Sequence, residues 1–126
     1  RVGMAGHSFG ANTTLMACGQ RFGPRLLRLP SFRDDRIRAA IPMSAPVPGT
    51  RRDPDYTYGE IRVPLLHMTG TLDESPIGDT AAADRRIPFD NIAGVDQYLV
   101  TFEGGDHMIF SGRPRRGPAN PKDTKF

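Results

Sequence analysis

The sequence predicts an α/β fold built on a mostly parallel β-sheet. Three apolar runs have the composition of strands buried on both faces of a sheet, and each is followed by Gly, Pro or Asp. A fourth, shorter run lies at the start of the chain. Helix-like or loop segments separate these runs, so the strands are expected to pair in parallel. The four predicted strands are Val2 to Ala5, Ile37 to Met43, Val63 to Met68 and Tyr98 to Phe102.

The segments between these runs differ in character. A helix is predicted over Ser8 to Gly19, because its middle is apolar and Gly19 is placed to end it. The stretch from Ser44 to Gly59 is rich in proline and charged residues, which predicts a loop. Thr80 to Arg86 is the next helix candidate, lying between Pro76 and Pro88.

Length and composition restrict the class of protein. The 126 residues suit one domain, and 14 glycines with 12 prolines predict much irregular backbone. Cys18 is the single cysteine, which excludes an internal disulfide, and no Cys/His spacing suggests a metal site. No apolar run reaches the roughly 18 residues of a membrane span, and no signal-peptide pattern is visible. The cellular location is left open.

The net charge of +3 comes from the end of the chain. Residues 113–126 form a basic, proline-rich tail that we expect to be poorly ordered. Because aromatic residues do not interleave with its cations and no helical period organises them, no nucleic-acid partner is predicted. The basic residues of this tail are Arg113, Arg115, Arg116, Lys122 and Lys125.

The most informative segment is Gly6-His7-Ser8-Phe9-Gly10, which fits the pattern G-x-S-x-G. This pattern places a serine on a sharp turn between a strand and a helix, where glycines let neighbouring backbone pass without a Cβ clash. The same turn directs the backbone N–H of Phe9 at an oxygen that becomes negative in acyl transfer, so Phe9 is predicted as an oxyanion-hole donor. A phosphate-binding loop is the less favoured alternative, because the Lys of a P-loop and the third Gly of a dinucleotide motif are missing. An ordinary glycine-rich turn is the other alternative.

A serine hydroxyl becomes a nucleophile when a histidine accepts its proton and a carboxylate orients that histidine. Of the three histidines, His107 is predicted to be the base, because it follows a strand-like run and a glycine-containing loop. His7 is expected to point away from Ser8, its neighbour in the sequence. His67 is expected to be a hydrogen-bonded core residue.

Asp73 is the predicted carboxylate, because it leaves the carboxyl end of the third run. Glu74 and Asp79 are alternatives, and Asp106 is another if its loop turns sharply. The chain order of nucleophile, acid and histidine is the order expected for one particular fold. No metal or cofactor is needed by such a site.

At these residues the sequence resembles the second half of an α/β-hydrolase. The resemblance implies that the predicted strands are strands five to eight, that residues 1–112 are the C-terminal half of a domain, and that the serine, acid and histidine form a triad. The motifs Gly-His-Ser-Phe-Gly-Ala, His-Met-Thr-Gly-Thr-Leu-Asp and Gly-Gly-Asp-His-Met further resemble dienelactone hydrolase-like and platelet-activating-factor acetylhydrolase-like esterases. The chain departs from dienelactone hydrolases proper in having Ser8 where they have cysteine.

The resemblance implies a serine hydrolase that acts on carboxylic esters through an acyl-enzyme intermediate. It also implies an N-terminal half with four more strands and the second oxyanion donor, so we expect the chain to be a fragment with an exposed apolar edge. Two alternatives remain open. The chain is a non-catalytic remnant or interaction module, or it is an acyltransferase that uses the same triad.

Overall fold

Four parallel strands form one sheet in the computed structural model, which describes residues 2–47 and 53–112. The strands lie in chain order, so each pairs with the next along the sequence. The predicted α/β class and parallel pairing are confirmed. The strands are β1 (Val2–His7), β2 (Ile37–Met43), β3 (Leu65–Leu72) and β4 (Gln97–Asp106).

Helix α1 (Phe9–Cys18) connects β1 to β2 and ends as the sequence predicts. Gly19 has φ 120°, and its N–H bonds to the carbonyl oxygens of Leu15 and Met16. An added Cβ at this position would also lie 2.8 Å from the Glu60 carbonyl oxygen. Glycine therefore ends the helix for two reasons, its backbone conformation and the close approach of another segment.

The two later connections contain more helix than predicted. Helix α2 (Pro54–Tyr58) is capped by the preceding residue, Asp53, whose carboxylate accepts a hydrogen bond from the Tyr56 N–H. The candidate at Thr80 to Arg86 is a 3-10 helix, Ala82–Arg86, that continues into α3 (Ile87–Asn91). Pro88 lies in the first turn of α3, where no N–H is required, so it helps to begin this helix and does not end the preceding one.

A further 3-10 turn spans Arg25–Leu27, between α1 and β2. The predicted basic tail, 113–126, lies outside the described residues.

The core lies between one face of the sheet and the helices that cross it. Helix α1 packs on β1 and β2, and Leu15 and Ala11 are completely buried there. Burial of such apolar side chains contributes about 1.5–3 kcal/mol for each large one. The buried cluster comprises Ala11, Leu15, Cys18, Ile37, Ala40, Ala45, Tyr58, Ile61, Leu65 and Ile92.

The opposite face of the sheet is exposed within the described residues. Ile41 is 37%, Val100 38% and Tyr98 69% exposed. The prediction that these strands are buried on both faces is therefore wrong for this part of the chain, because its helices pack against one face only. Strand β1 also has a single neighbour, β2, among the described strands. None of the described helices is long and apolar enough to cross a membrane.

His67 is the core histidine that the sequence predicts, and it makes stability depend on pH. The residue is 3% exposed, and its Nε2 lies 2.9 Å from Gln97 Oε1. Burial lowers the pKa of His67. The unfolded chain therefore binds a proton that the folded chain resists, and stability falls as the pH drops below about 6.5.

We expect His67→Gln to reduce this loss of stability at acid pH, because glutamine offers Gln97 a donor without a titrating ring. The slope of unfolding free energy against pH should fall by at most about 1.4 kcal/mol per pH unit, the value for one proton. Urea denaturation of both proteins at pH 5, 6 and 7 measures the two slopes. Equal slopes would show that His67 is not buried as a neutral ring.

Candidate functional site

Ser8 occupies a strained turn between β1 and α1. Its φ of 58° and ψ of −119° cost a non-glycine residue about 1–3 kcal/mol. Its N–H donates to the Met43 carbonyl oxygen at 2.9 Å, and its carbonyl accepts from Ala11 and Asn12 at 2.9 and 3.1 Å. Bonds to β2 on one side and α1 on the other thus hold the serine in a conformation that is typical of functional positions.

Gly6 is required by the tightness of this turn. An added Cβ would collide with the Gly10 carbonyl group and would lie 2.8 Å from Thr14 Oγ1. At Gly10, an added Cβ would meet no atom of the described residues within 4 Å. The expectation that both glycines prevent a Cβ clash therefore applies to Gly6 and is wrong for Gly10 within this part of the chain.

His107 joins Ser8 to Asp73 through its two ring nitrogens. Its Nε2 lies 2.9 Å from Ser8 Oγ, and its Nδ1 lies 2.7 Å from Asp73 Oδ1. The His107 side chain is 8% exposed, and Asp73 is completely buried. A carboxylate this close to Nδ1 favours the tautomer with the proton on Nδ1, which leaves Nε2 as an acceptor for the serine hydroxyl. Three residues predicted from the sequence are therefore brought into one hydrogen-bonded chain.

Asp73 is held in place by its own strand. It directly follows β3, and Thr69 Oγ1 on that strand donates to Asp73 Oδ2 at 2.8 Å. Two of the alternative acids make other contacts: Glu74 Oε1 accepts from the Ala82 N–H at 3.3 Å, and Asp106 Oδ1 from the Met108 N–H at 2.9 Å. The carboxylate on Nδ1 is thus the first choice of the sequence analysis.

His7 has a contact that the sequence does not reveal. Its Nε2–H donates to the His107 carbonyl oxygen at 2.6 Å, and the two ring centroids are 4.9 Å apart. Residue 7 at the end of β1 thereby fixes the main chain of residue 107 beyond the end of β4. No local pattern could have indicated this bond, because one hundred positions separate its partners.

Arg85 is the second residue that sequence reasoning missed. Its guanidinium is buried beside the acid, where Nε donates to the Asp73 carbonyl oxygen at 3.1 Å and Nη1 to the Ser44 carbonyl oxygen at 2.9 Å. Nη2 lies 3.3 Å from Asp73 Oδ1 and 3.2 Å from His107 Nδ1. Burial lowers the pKa of Arg85, and nearby carboxylates, Asp73 foremost, act in the opposite direction. The sequence shows only one more cation in a charged helical segment.

The surroundings of Ser8 contribute one backbone donor. Phe9 is the first residue of α1, so its N–H is one of those that have no partner inside the helix. Tyr58 lies in the core, and Phe89 packs edge-on against His67 with ring centroids 5.8 Å apart. Burial raises the pKa of the Cys18 thiol to about 11, which makes it unreactive. Within residues 2–47 and 53–112, no group of three His, Cys, Asp or Glu side chains surrounds a possible metal position.

Comparison with known proteins places this arrangement in a fold. No protein-family profile and no curated protein sequence matches the chain. Among solved structures, an acylaminoacyl peptidase in complex with Z-Gly-Gly-Phe-chloromethyl ketone is 18% identical with a TM-score of 0.56, over 89% of this chain and 21% of that one. A puromycin-hydrolysing peptidase of Mycobacterium tuberculosis is 21% identical with a TM-score of 0.53, over 85% and 18% of the two chains. A truncated carbohydrate esterase from gut microbiota is 15% identical with a TM-score of 0.50, over 83% and 52%.

At these identities the likeness concerns the fold. The chain spans about a fifth of each of the two peptidases and about half of the esterase. The finer resemblance to dienelactone hydrolase-like esterases stays a prediction. The sheet, its flanking helices and the structural neighbours together identify this chain as having part of an α/β-hydrolase-like fold.

Proposed function

We propose that this chain carries the reactive centre of a serine hydrolase that cleaves carboxylic esters. Ser8 is the nucleophile, His107 the general base and acid, and Asp73 the carboxylate that orients the imidazole. The observation that carries the proposal is the continuous hydrogen-bond chain from Ser8 Oγ through both ring nitrogens to Asp73 Oδ1, with links of 2.9 and 2.7 Å. The hydrolase fold of the structural neighbours agrees with it.

The geometry suits acyl transfer in two steps. Ser8 Oγ attacks the carbonyl carbon of the ester while its proton moves to His107 Nε2, and the Asp73 carboxylate stabilises the imidazolium. The Phe9 N–H donates to the oxyanion. The imidazolium then protonates the leaving alcohol, and a water molecule, deprotonated by the same nitrogen, releases the acid and restores the serine.

An ester is the proposed substrate class because of the esterase-like motifs around Ser8, Asp73 and His107. Two of the structural neighbours are peptidases, and their reaction would require the same proton transfers with an amine as leaving group. Transfer to an alcohol or amine is the acyltransferase alternative. Product analysis with a competing acceptor separates transfer from hydrolysis, because a transferase passes most of its acyl groups to the acceptor even when water is in excess.

We also propose that residues 1–112 work as the second part of a larger domain that includes an N-terminal half of the same protein. Two features of the described residues support this, because such surfaces are normally covered: the exposed apolar face around Ile41 and Val100, and the edge of β1 that has no neighbouring strand. The second oxyanion donor would come from that half. The chain by itself is then expected to act weakly or to be a non-catalytic module.

Labelling with a fluorophosphonate probe tests the proposed function. This probe phosphonylates a serine whose proton is taken by an adjacent base, so full-length protein should be modified at Ser8 and the Ser8→Ala variant should not be modified. Mass spectrometry of the labelled peptide identifies the site. Ser31→Ala, at an exposed serine in the loop before β2, is the matched control and should label like the unmodified protein. Equal labelling of Ser8→Ala and the parent protein would end the proposal.

A further inference from the structure

We propose that Arg85 is a positioning residue of this site, whose buried positive charge holds the Asp73 carboxylate in place and opposes a second positive charge on the His107 imidazole. The inference rests on the proposed function, because Arg85 is argued to act through the same acid and the same histidine. It adds a fourth residue that acts through the acid and the base without touching substrate.

The contacts of Arg85 join three separate segments. One guanidinium group reaches the Ser44 carbonyl oxygen after β2, the Asp73 carbonyl oxygen after β3 and the Asp73 carboxylate. Its side chain is 1% exposed and that of Asp73 is 0% exposed. The rigid, planar donor set of arginine can satisfy all these acceptors at once, which lysine cannot do.

The charge of Arg85 matters because it lies beside the base. With a neutral imidazole, the buried site contains one cation and one anion, which compensate each other. Protonation of His107 adds a second cation 3.2 Å from Arg85 Nη2, in surroundings where water does not screen it. A like charge at this range disfavours the protonated ring, so the Arg85 cation opposes the stabilising effect of the Asp73 anion.

Other groups near the ring do not replace this effect. The His7 ring is bonded to the His107 carbonyl, and the nearby carboxylates of Glu74, Asp84 and Asp106 accept backbone N–H groups. The Asp73 carboxylate and the Arg85 guanidinium both contact Nδ1 of His107. Among residues 2–47 and 53–112, the groups that contact His107 from the elements packed around it are Ser8, His7, Asp73 and Arg85, with Asp106 adjacent on its own segment.

The test is the pH dependence of fluorophosphonate labelling at Ser8 in full-length protein. Labelling rates from pH 5 to 9 should fall at acid pH as the imidazole becomes protonated. For Arg85→Met, we expect the midpoint of this fall to move up by about one pH unit, because the repelling charge is gone. For Arg85→Lys, the charge remains, so the midpoint should stay near that of the parent while the plateau rate falls about tenfold through lost positioning.

Arg86→Met is the matched control. Arg86 is the next residue, carries the same charge and pairs with Asp90 at 2.8 Å on an exposed surface. Its midpoint and plateau rate should equal those of the parent. A purely structural role for Arg85 would lower the plateau of Arg85→Met without moving its midpoint, and that result would overturn the inference.

Two further outcomes are separable. If Arg85→Met does not fold, as judged by circular dichroism, Arg85→Gln keeps donors without charge and takes its place, and an unmoved midpoint there would again overturn the inference. If labelling is confined to Ser8 but the variant without the Arg85 charge has the same midpoint as the parent, only this inference fails. Labelling that survives Ser8→Ala defeats the proposed function and this inference with it.

Discussion

Replacing His107 with alanine is expected to lower the rate of phosphonylation and of ester turnover at Ser8 by about 10²–10⁴-fold. The serine hydroxyl has His107 Nε2 as its base at 2.9 Å, and the variant leaves only water in that position. Stopped-flow labelling with the fluorophosphonate probe and turnover of a short p-nitrophenyl ester in full-length protein measure both rates. The binding step should change little, so the loss should lie in the rate constant for labelling and not in the affinity for the probe.

The control for this prediction is a histidine of the same chain outside the site. His67→Gln removes a buried imidazole that bonds to Gln97 and should label within about twofold of the parent. If His107→Ala labels as fast as His67→Gln, the hydrogen bond from Ser8 to the imidazole has no role in the reaction. The serine would then need another activating group.

Gly6→Ala is expected to destabilise the folded protein by on the order of 3 kcal/mol. The new Cβ would collide with the Gly10 carbonyl, which is backbone and cannot rotate away. Separating β1 from α1 would relieve the collision, but it would also disrupt the turn at Ser8. Urea denaturation followed by circular dichroism gives the difference in unfolding free energy.

Gly10→Ala is the matched control, because it adds the same methyl group four residues later. An added Cβ there meets no described atom within 4 Å, and alanine is favoured over glycine inside a helix by roughly 0.5–1 kcal/mol. The described residues therefore predict equal or slightly higher stability for this variant. Equal stabilities of Gly6→Ala and Gly10→Ala would contradict the tight turn between β1 and α1.

The local pattern of the sequence determined much of the fold. Each of the four predicted runs contributes to a strand, and α1 ends at Gly19, because apolar periodicity and a glycine stop report on the residues themselves and their near neighbours. The elbow pattern also selected Ser8. Parallel strands bring their carboxyl ends to one edge of a sheet, so the order of the runs was enough to predict that His107 and Asp73 lie near that serine.

The tertiary structure alone decided what surrounds this chain of residues. His7 reaches a carbonyl one hundred positions away, and Arg85 connects to segments 12, 22 and 41 positions away. Neither contact leaves a periodic or compositional mark, because both depend on how the ends of separate strands are aligned. The exposure of one sheet face was decided in the same way. A buried run and a half-exposed run of Ile, Val and Ala look alike in sequence, and only the placement of the helices distinguishes them.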